Sequence, residues 1–333
     1  MIMNINRRRF MGVMASGAAL LAAPAIGRAQ STQVLKLAHP HPDTDSWQDA
    51  GLWMNEALRE RTDGALGVQV FANGILGNDS TMINAVRGGT IDIMVTGNPF
   101  FTGLAPKLNV LDLPFLFKDR NHVAAVLDGE IGDELRAELE PSGIVALATW
   151  ETGWRNVTNS RRPVHGVDDL KGLKIRTTPN PAHIRAFELL GAVPTPMAFT
   201  ELFTALEMRS IDGQENPTTL ILNSKFNEVQ RYLSLTQHAF TTSPLVTNKT
   251  KLDAMDPALR EALVAVAREA AVKQRQMNAE REISSLETLK SEGMEVVETP
   301  DREALRAVVA DKVREAFATQ FGAELPDRIA ALG

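Results

Sequence analysis

Gly172-Leu173-Lys174-Ile175-Arg176-Thr177-Thr178-Pro179-Asn180-Pro181 is the run whose reading decides the fold. Leu173 and Ile175 alternate with Lys174 and Arg176, the two-residue period of a short strand. Thr177 to Pro179 turns the chain. Asn180-Pro181 then opens a helix, with Asn at the N-cap and Pro at the first helical position. Ile184, Phe187 and Leu190 give that helix an apolar side, and Gly191 is its stop signal. A second strand is expected over 193–199 and a second helix over 200–213. Strand, helix, strand, helix predicts an α/β sheet. Ligands in such sheets bind beyond the carboxyl ends of strands, where Arg176 falls.

Arg carries a planar, permanently charged fork that matches a carboxylate with two hydrogen bonds. The helix N-terminus at Asn180 adds positive potential beside Arg176. A carboxylate clamp, with Arg155 as a second arginine, is one reading. A structural salt bridge is the other, because an arginine at a strand end commonly pairs with a nearby acid. Asn216 precedes Pro217 and reads on local chemistry as a helix N-cap.

Working outward, five runs share a pattern: Arg155-x-x-Thr158-Asn159-Ser160, Gly172-Leu173-Lys174-Ile175-Arg176, Gly191-Ala192-x-Pro194-Thr195-Pro196-Met197-Ala198-Phe199, Asp212-Gly213-Gln214-Glu215-Asn216-Pro217 and Glu228-Val229-Gln230. Together they resemble the solute-binding proteins of tripartite ATP-independent periplasmic (TRAP) transporters. The resemblance extends from about Val34 to the C-terminus. It implies a two-lobed periplasmic binding protein fold of α/β type, with the ligand cleft between the lobes. It implies that Arg176 pairs with a substrate carboxylate, that Arg155 assists and that Asn216 touches the ligand. It also sets the loops holding His41, Asn78 and Asn98 at the cleft. Asn78 and Gly97 stand where family members often carry acids, so those charges are missing here. Asp79, Trp154 and Phe199 complete the expected binding set. The implied partners are a small carboxylate ligand and the membrane subunits of a TRAP transporter, with the protein acting as a monomer.

The N-terminus reads as a leader. Arg7-Arg8-Arg9-Phe10 is basic, 13–26 is apolar but too short to span as a conventional membrane helix, and Gly27-Arg28-Ala29 fits a cleavage site. The pattern suits either a twin-arginine or an ordinary secretory signal, and both lead to the periplasm. The whole chain has 35 basic and 41 acidic residues. Without the four leader arginines, 31 basic residues remain against 41 acidic ones, a net charge of −10. Such a chain is a poor binder of nucleic acid or anionic membrane, so an anion must be held by local arginines. There is no cysteine, hence no disulfide or thiolate site.

Strands are expected over 35–38, 67–71, 91–95, 144–150, 239–248 and 294–297. The helix after Asp45 carries Trp47, Leu52, Trp53 and Leu58, with Asp43 or Asp45 as its cap and both tryptophans packed in the core. The apolar run 111–117 contains Pro114 and reads as loop and turn. Glu151-Thr152-Gly153 reads as a crossover between lobes, with lobe I over 30–152 and about 242–280, and lobe II over 153–241 and about 281–333. From Pro257 a helical stretch reaches about Glu292, roughly 50 Å at 1.5 Å per residue, long enough to lie along both lobes. Gln274-Arg275-Gln276 interrupts its apolar stripe, which argues against a coiled coil. His39 and His41 have no third ligand at a standard spacing, so no metal is expected. No nucleotide or cofactor motif occurs either. The rival reading is a periplasmic sugar-acid enzyme, for which Glu151 and Asp79 are the available acids. A ligand-sensing subunit for a receptor is a third. The expected ligand is a hydroxylated monocarboxylate such as a hexuronate or aldonate, with Trp150 and Trp154 offering flat faces to its ring and neutral donors on the opposite wall. A C4-dicarboxylate is the alternative.

Overall fold

The computed structural model describes residues 32–332, so the expected leader and its cleavage site lie outside the described residues. From Thr32 onward the chain forms one compact unit. Its order is β1 (Gln33–Ala38), α1 (Ser46–Arg61), β2 (Leu66–Phe71), α2 (Asp79–Arg87), β3 (Ile93–Val95), α3 (Arg120–Asp128), α4 (Glu130–Ala137) and β4 (Ile144–Asn159). Then come α5 (Val167–Leu170), β5 (Lys174–Thr177), α6 (Pro181–Leu189), β6 (Val193–Pro196), α7 (Leu202–Glu207), β7 (Gly213–Asn216), α8 (Thr218–Asn223) and β8 (Tyr232–Asn248). Last are α9 (Lys249–Asp253), α10 (Pro257–Ser291), β9 (Glu295–Val297), α11 (Arg302–Phe321) and α12 (Glu324–Ala331).

The strands form one mixed sheet in the order β2-β1-β3-β8-β4-β7-β5-β6, with β9 beside β8. β2, β1 and β3 are parallel at one end, and β7, β5 and β6 are parallel at the other. Antiparallel β4 and β8 run through the middle and belong to both ends. At about 3.3 Å per residue each long strand spans roughly 50 Å, enough to cross two lobes. This is the two-lobed α/β form with many helices. The expected lobe boundaries at 152/153 and 241/242 fall inside β4 and β8, which run through both positions without a break.

β4 and β8 do not pair evenly. Their register shifts between Ala146 and Ala148, between Glu151 and Gly153, and between Arg155 and Val157. Each irregularity bends and twists the ribbon locally. Gly153 sits at the middle shift with φ +119, a conformation that favours glycine, and a Cβ there would lie 3.1 Å from Asn278 Nδ2. α10 lies over this crossing. Gln274 accepts from the Glu151 N–H and donates to its carbonyl, while Asn278 donates to the Thr152 carbonyl and the Glu151 carboxylate. The polar interruption of the helix is therefore what binds it to the crossing strands.

Ala262, Leu263, Val266 and Ala270 of α10 pack with α1 and β1–β3, whereas Leu289 packs with α7 and α8 near the start of β8. Leu305, Val309, Val313 and Phe317 of α11 are buried as expected. Other expectations differ. Leu52 is exposed, and the Lys273 ammonium lies 4.9 Å over the half-buried Trp53 ring; Trp47 alone of the two tryptophans is fully buried. The helix expected over 200–213 ends at Glu207, because Arg209 takes a left-handed φ of 55 and Gly213 enters β7. β7 itself, Gly-Gln-Glu-Asn, has no apolar alternation. It is a strand because β4 and β5 bond it on both sides.

Gly153→Ala should lower the unfolding free energy by about 1–3 kcal/mol through backbone strain. Urea denaturation measures this, and an unchanged midpoint would mean the crossing tolerates a side chain.

Candidate functional site

Arg176 lies in the buried part of β5, next to its last residue Thr177, and its side chain turns into a narrow cleft of about 20 Å³. His41, Asp79, Arg155, Phe199 and Asn216 line the same cleft, with Thr96, Thr152, Thr178 and Thr241 between them. The two sides touch. Asp79, the first residue of α2, accepts from the Phe199 N–H at 3.1 Å, and Asp112 accepts from both Asn98 at 2.7 Å and Asn180 at 2.8 Å.

The two arginines have different circumstances. Arg155 is an ion-pair partner of Glu215 on the neighbouring strand β7: its Nε and Nη2 both donate to that carboxylate, the latter at 2.7 Å. Its Nη1 donates to Thr241 Oγ1 at 3.1 Å. His238 lies 3.3 Å from the same Glu215 carboxylate. Burial alone would raise the Glu215 pKa, but Arg155 and the His238 hydrogen bond hold it well below the usual carboxylate range. The salt-bridge reading thus describes Arg155.

Arg176 donates from Nε and Nη2 to one carbonyl, that of Met197, at 3.1 and 2.8 Å. Among the described residues no carboxylate lies within ion-pair distance of it. Its side chain is buried, and burial together with the nearby Arg155 cation lowers its pKa to about 10. At neutral pH it is still charged. Glu215, Asp79 and Glu201 offset part of this lowering at a distance, but none bonds the guanidinium; burying a cation costs several kcal/mol, and an anion placed against it offsets that cost.

The other cleft walls are polar or aromatic. His41 stacks on Trp47 at 3.7 Å between ring centroids, lies 3.4 Å from Asp45 and 5.0 Å from the Phe199 ring. Burial would raise the Asp45 pKa, but His41 holds it below its ordinary value. Asn216 is not a cap: α8 begins at Thr218 after Pro217, and the Asn216 amide donates to Gln214.

Three expected residues stand elsewhere. Asn78 caps α2 and accepts from the Thr81 N–H. Asn98 is buried and donates to the Leu108 carbonyl and Asp112. Trp154 packs edge-on against Phe240 and faces a different, larger hollow of about 630 Å³ beside Arg120 and Glu282. Trp150 is fully inside the core. The flat faces in the cleft are therefore Phe100 and Phe199, not tryptophans. The larger hollow holds neither arginine, so size does not identify the site. Glu151 is paired with Arg120 and Asn278 away from the cleft lining. Among the described residues no group of three acids or histidines is arranged to hold a metal ion.

Sequence reasoning missed Glu215 as the partner of Arg155, His238 as a partner of Glu215, and the ring of threonines. Glu215 lies inside the Asp-Gly-Gln-Glu-Asn-Pro run and alternates with Asn216, a signal that was available. Asp112 carried no signal. It is fully buried, and burial pushes its pKa well above the usual carboxylate range.

Known proteins bear on this cleft. The model of the family "Bacterial extracellular solute-binding protein, family 7" matches residues 37–320. The 2,3-diketo-L-gulonate-binding periplasmic protein of Escherichia coli (strain K12) is 45% identical over 86% of this chain and 88% of its own length. A TRAP periplasmic solute-binding protein from Polaromonas sp. JS666, bound to D-erythronate, superposes with a TM-score of 0.87. It is 37% identical over 90% of this chain and 98% of its own. The sugar acid binding protein of Advenella mimigardefordensis strain DPN7T, in complex with galactonate, also gives 0.87, at 34% identity over 90% and 97%.

His183 sits beside the cleft, bonded to Thr178 at 2.9 Å, and burial lowers its pKa to about 3. In the unfolded chain it takes up a proton near pH 6.5, so its contribution to stability is present above that pH and is lost as pH falls towards 3. The stability gap between the protein and His183→Asn should shift against the unmodified protein by up to about 1.4 kcal/mol per pH unit between pH 6 and 5. Urea melts at several pH values read this directly, and a gap independent of pH would mean that His183 is protonated in the fold.

Proposed function

The chain belongs to family 7 of the bacterial extracellular solute-binding proteins, the TRAP solute-binding proteins, and from that premise we propose that it carries a hydroxylated monocarboxylate to TRAP membrane subunits in the periplasm. In chemical terms that cargo is a sugar acid, an aldonate or hexuronate. One observation carries the reading: Arg176 is a buried cation with no carboxylate partner among the described residues, at the strand end where a ligand docks.

The ligand class follows from the rest of the cleft. A second carboxylate would need a second free cation. Arg155 is committed to Glu215 and Thr241 and offers little more than one edge. His41, Asn216 and the threonines are suited to hydroxyls. The relatives described above bind 2,3-diketo-L-gulonate, D-erythronate and galactonate, each a hydroxylated monocarboxylate. These points favour the sugar acid over the C4-dicarboxylate. They also favour binding over turnover, because Glu151 is held by Arg120 and Asn278.

In this mechanism the ligand carboxylate docks first on Arg176 and Asn216. The lobes, taken as 30–152 with about 242–280 and 153–241 with about 281–333, then close over it by bending at the shared strands. Closure is favoured only to the extent that the ligand contacts both sides. His41 and Asp79 meet it from one side, and Phe199 from the other.

Arg176→Ala should weaken sugar-acid binding by about 2–5 kcal/mol without unfolding the protein, and Arg176→Lys should also fail because an ammonium lacks the fork. Calorimetry decides, and near-normal affinity in both variants would remove Arg176 from the clamp. In a thermal-shift panel, a sugar acid at a hundred times its dissociation constant should add about 2.7 kcal/mol of stability. Stabilisation by succinate or malate alone would reassign the ligand. Exported protein should begin near Gln30 on N-terminal sequencing; an intact Met1 in the periplasm would contradict export by cleavage.

A further inference from the structure

Asp112 is a buried acid that no ion pair explains. It ends the 3₁₀ helix Pro106–Asp112 and is fully buried. Both of its bonds fall on one oxygen: Oδ2 accepts from the Asn98 amide at 2.7 Å and from the Asn180 amide at 2.8 Å. Oδ1 is buried with no donor among the described residues, and so is Oδ1 of Asn98, on the same amide group that bonds Asp112. The bonded acid and amide thus have two leftover acceptors and lack one hydrogen between them. The surrounding charges do not favour an anion here. Among the described residues no lysine, arginine or histidine lies within ion-pair distance of Asp112. Arg155 of β4 favours its ionised form from further away, Glu215 of β7 opposes it, and those two are paired with each other. α6 brings His183, which is neutral, and the exposed Arg185, which pairs with Glu188. β8 brings His238, bonded to Glu215, and α11 turns the apolar Val313 and Phe317 towards this segment. The stretch 98–105 has no titratable side chain. Burial outweighs the other effects and pushes the Asp112 pKa well above the usual carboxylate range.

We propose that Asp112 is a protonated positioning residue of the cleft: its Oδ1 carries a hydrogen that bonds Asn98 Oδ1, so acid and amide hold each other by two bonds. A neutral carboxylic acid has one donor and keeps acceptor capacity, and this single hydrogen satisfies both leftover oxygens. An ionised Asp112 would instead leave both oxygens without a donor and bury a charge near Glu215, and each of these is costly. What the acid holds is the two walls of the cleft. Asn98 stands between Gly97 and Pro99, which line one wall, and Asn180 follows Thr178, which lines the arginine-bearing one. Asn180 also caps α6 through the Ala182 and His183 N–H groups. Asp112 therefore fixes the start of the helix that follows Arg176. It acts through Asn98 and Asn180 rather than on the ligand. Its effect on the ligand rests on the sugar-acid reading above; its protonation does not.

Asparagine has the shape of a neutral aspartic acid and a donor on one arm, so Asp112→Asn can make the same bonds, whereas Asp112→Ala makes none. Urea unfolding of the unmodified protein and Asp112→Asn at pH 5, 6 and 7 is the first test. The unfolded acid ionises at about pH 3.9 and the folded one is held neutral, so its stabilisation is full below that pH and is lost as pH rises towards the folded pKa. The ratio of unfolding constants, unmodified protein over Asp112→Asn, should therefore rise by up to about tenfold per pH unit. Groups such as His183 titrate alike in both proteins and cancel. A ratio independent of pH, or an Asp112→Asn protein that does not fold, would overturn the proposal. The second test is calorimetry with D-galactonate. Asp112→Ala should weaken binding by about tenfold or more, and Asp112→Asn should recover most of that loss. Asparagine as weak as alanine would overturn the positioning role. Should Asp112→Ala not fold, a tenfold loss in Asp112→Asn against the unmodified protein overturns it instead. If the unmodified protein binds succinate or malate and no sugar acid, the ligand reading falls, and the unfolding ratio alone decides the state of Asp112.

Discussion

Arg155 and Glu215 form a buried ion pair between adjacent strands, and much of the molecule is arranged to make that pair tolerable. Two charges taken out of water are stable only when their remaining donors and acceptors are satisfied. Here Thr241 takes the free edge of the guanidinium, and His238 donates to the carboxylate. These residues come from β4, β7 and β8, three neighbours in the sheet. The pair therefore stitches the long strands to the lobe that holds Arg176. It also leaves Arg176, among the described residues that line the cleft, as the cation without a bonded carboxylate, since the acid nearest in the motif is already engaged.

The same economy of partners governs the crossing between the lobes. Two long strands cannot bend freely where they pair, so the bend is concentrated at register shifts and at Gly153. A helix laid across that point would leave backbone groups of the distorted ribbon unbonded if it were apolar throughout. Gln274 and Asn278 supply those bonds, and the apolar stripe of α10 resumes on either side. A polar break in an otherwise amphipathic helix is thus a contact with another element's backbone.

The cleft follows from these two constraints. Its arginine side is carried by strands β4, β5 and β7, and its opposite side by the loop after β1, the start of α2 and the end of β3. Asp112 lies between them and bonds Asn98 of one side and Asn180 of the other. Asn180 has a double role: its oxygen caps α6 and its amide bonds across to Asp112. A residue that reads locally as a cap is also a tie between the two halves of the protein.

Local physics decided what the sequence could disclose by itself. The strand ending in Arg176, the capped helix from Pro181, the 35-residue α10 and the buried side of α11 were legible because their signals lie within a few residues of each other. The five matching runs disclosed the family, and the resemblance implied roles for Arg176, Arg155 and Asn216, which the structure brings to one cleft. Tertiary structure alone decided which arginine is free, because that depends on the register that sets Glu215 beside Arg155. It decided that Asn78 and Asn98 serve the fold, and that Trp150 and Trp154 face away from the cleft. It made β7 a strand from residues with no strand pattern, and it set Asp79 against the arginine-bearing side. The physical reason is the same in each case. Periodicity and capping are properties of neighbours along the chain, whereas a side chain's partner, burial and charge environment depend on segments tens to hundreds of residues away.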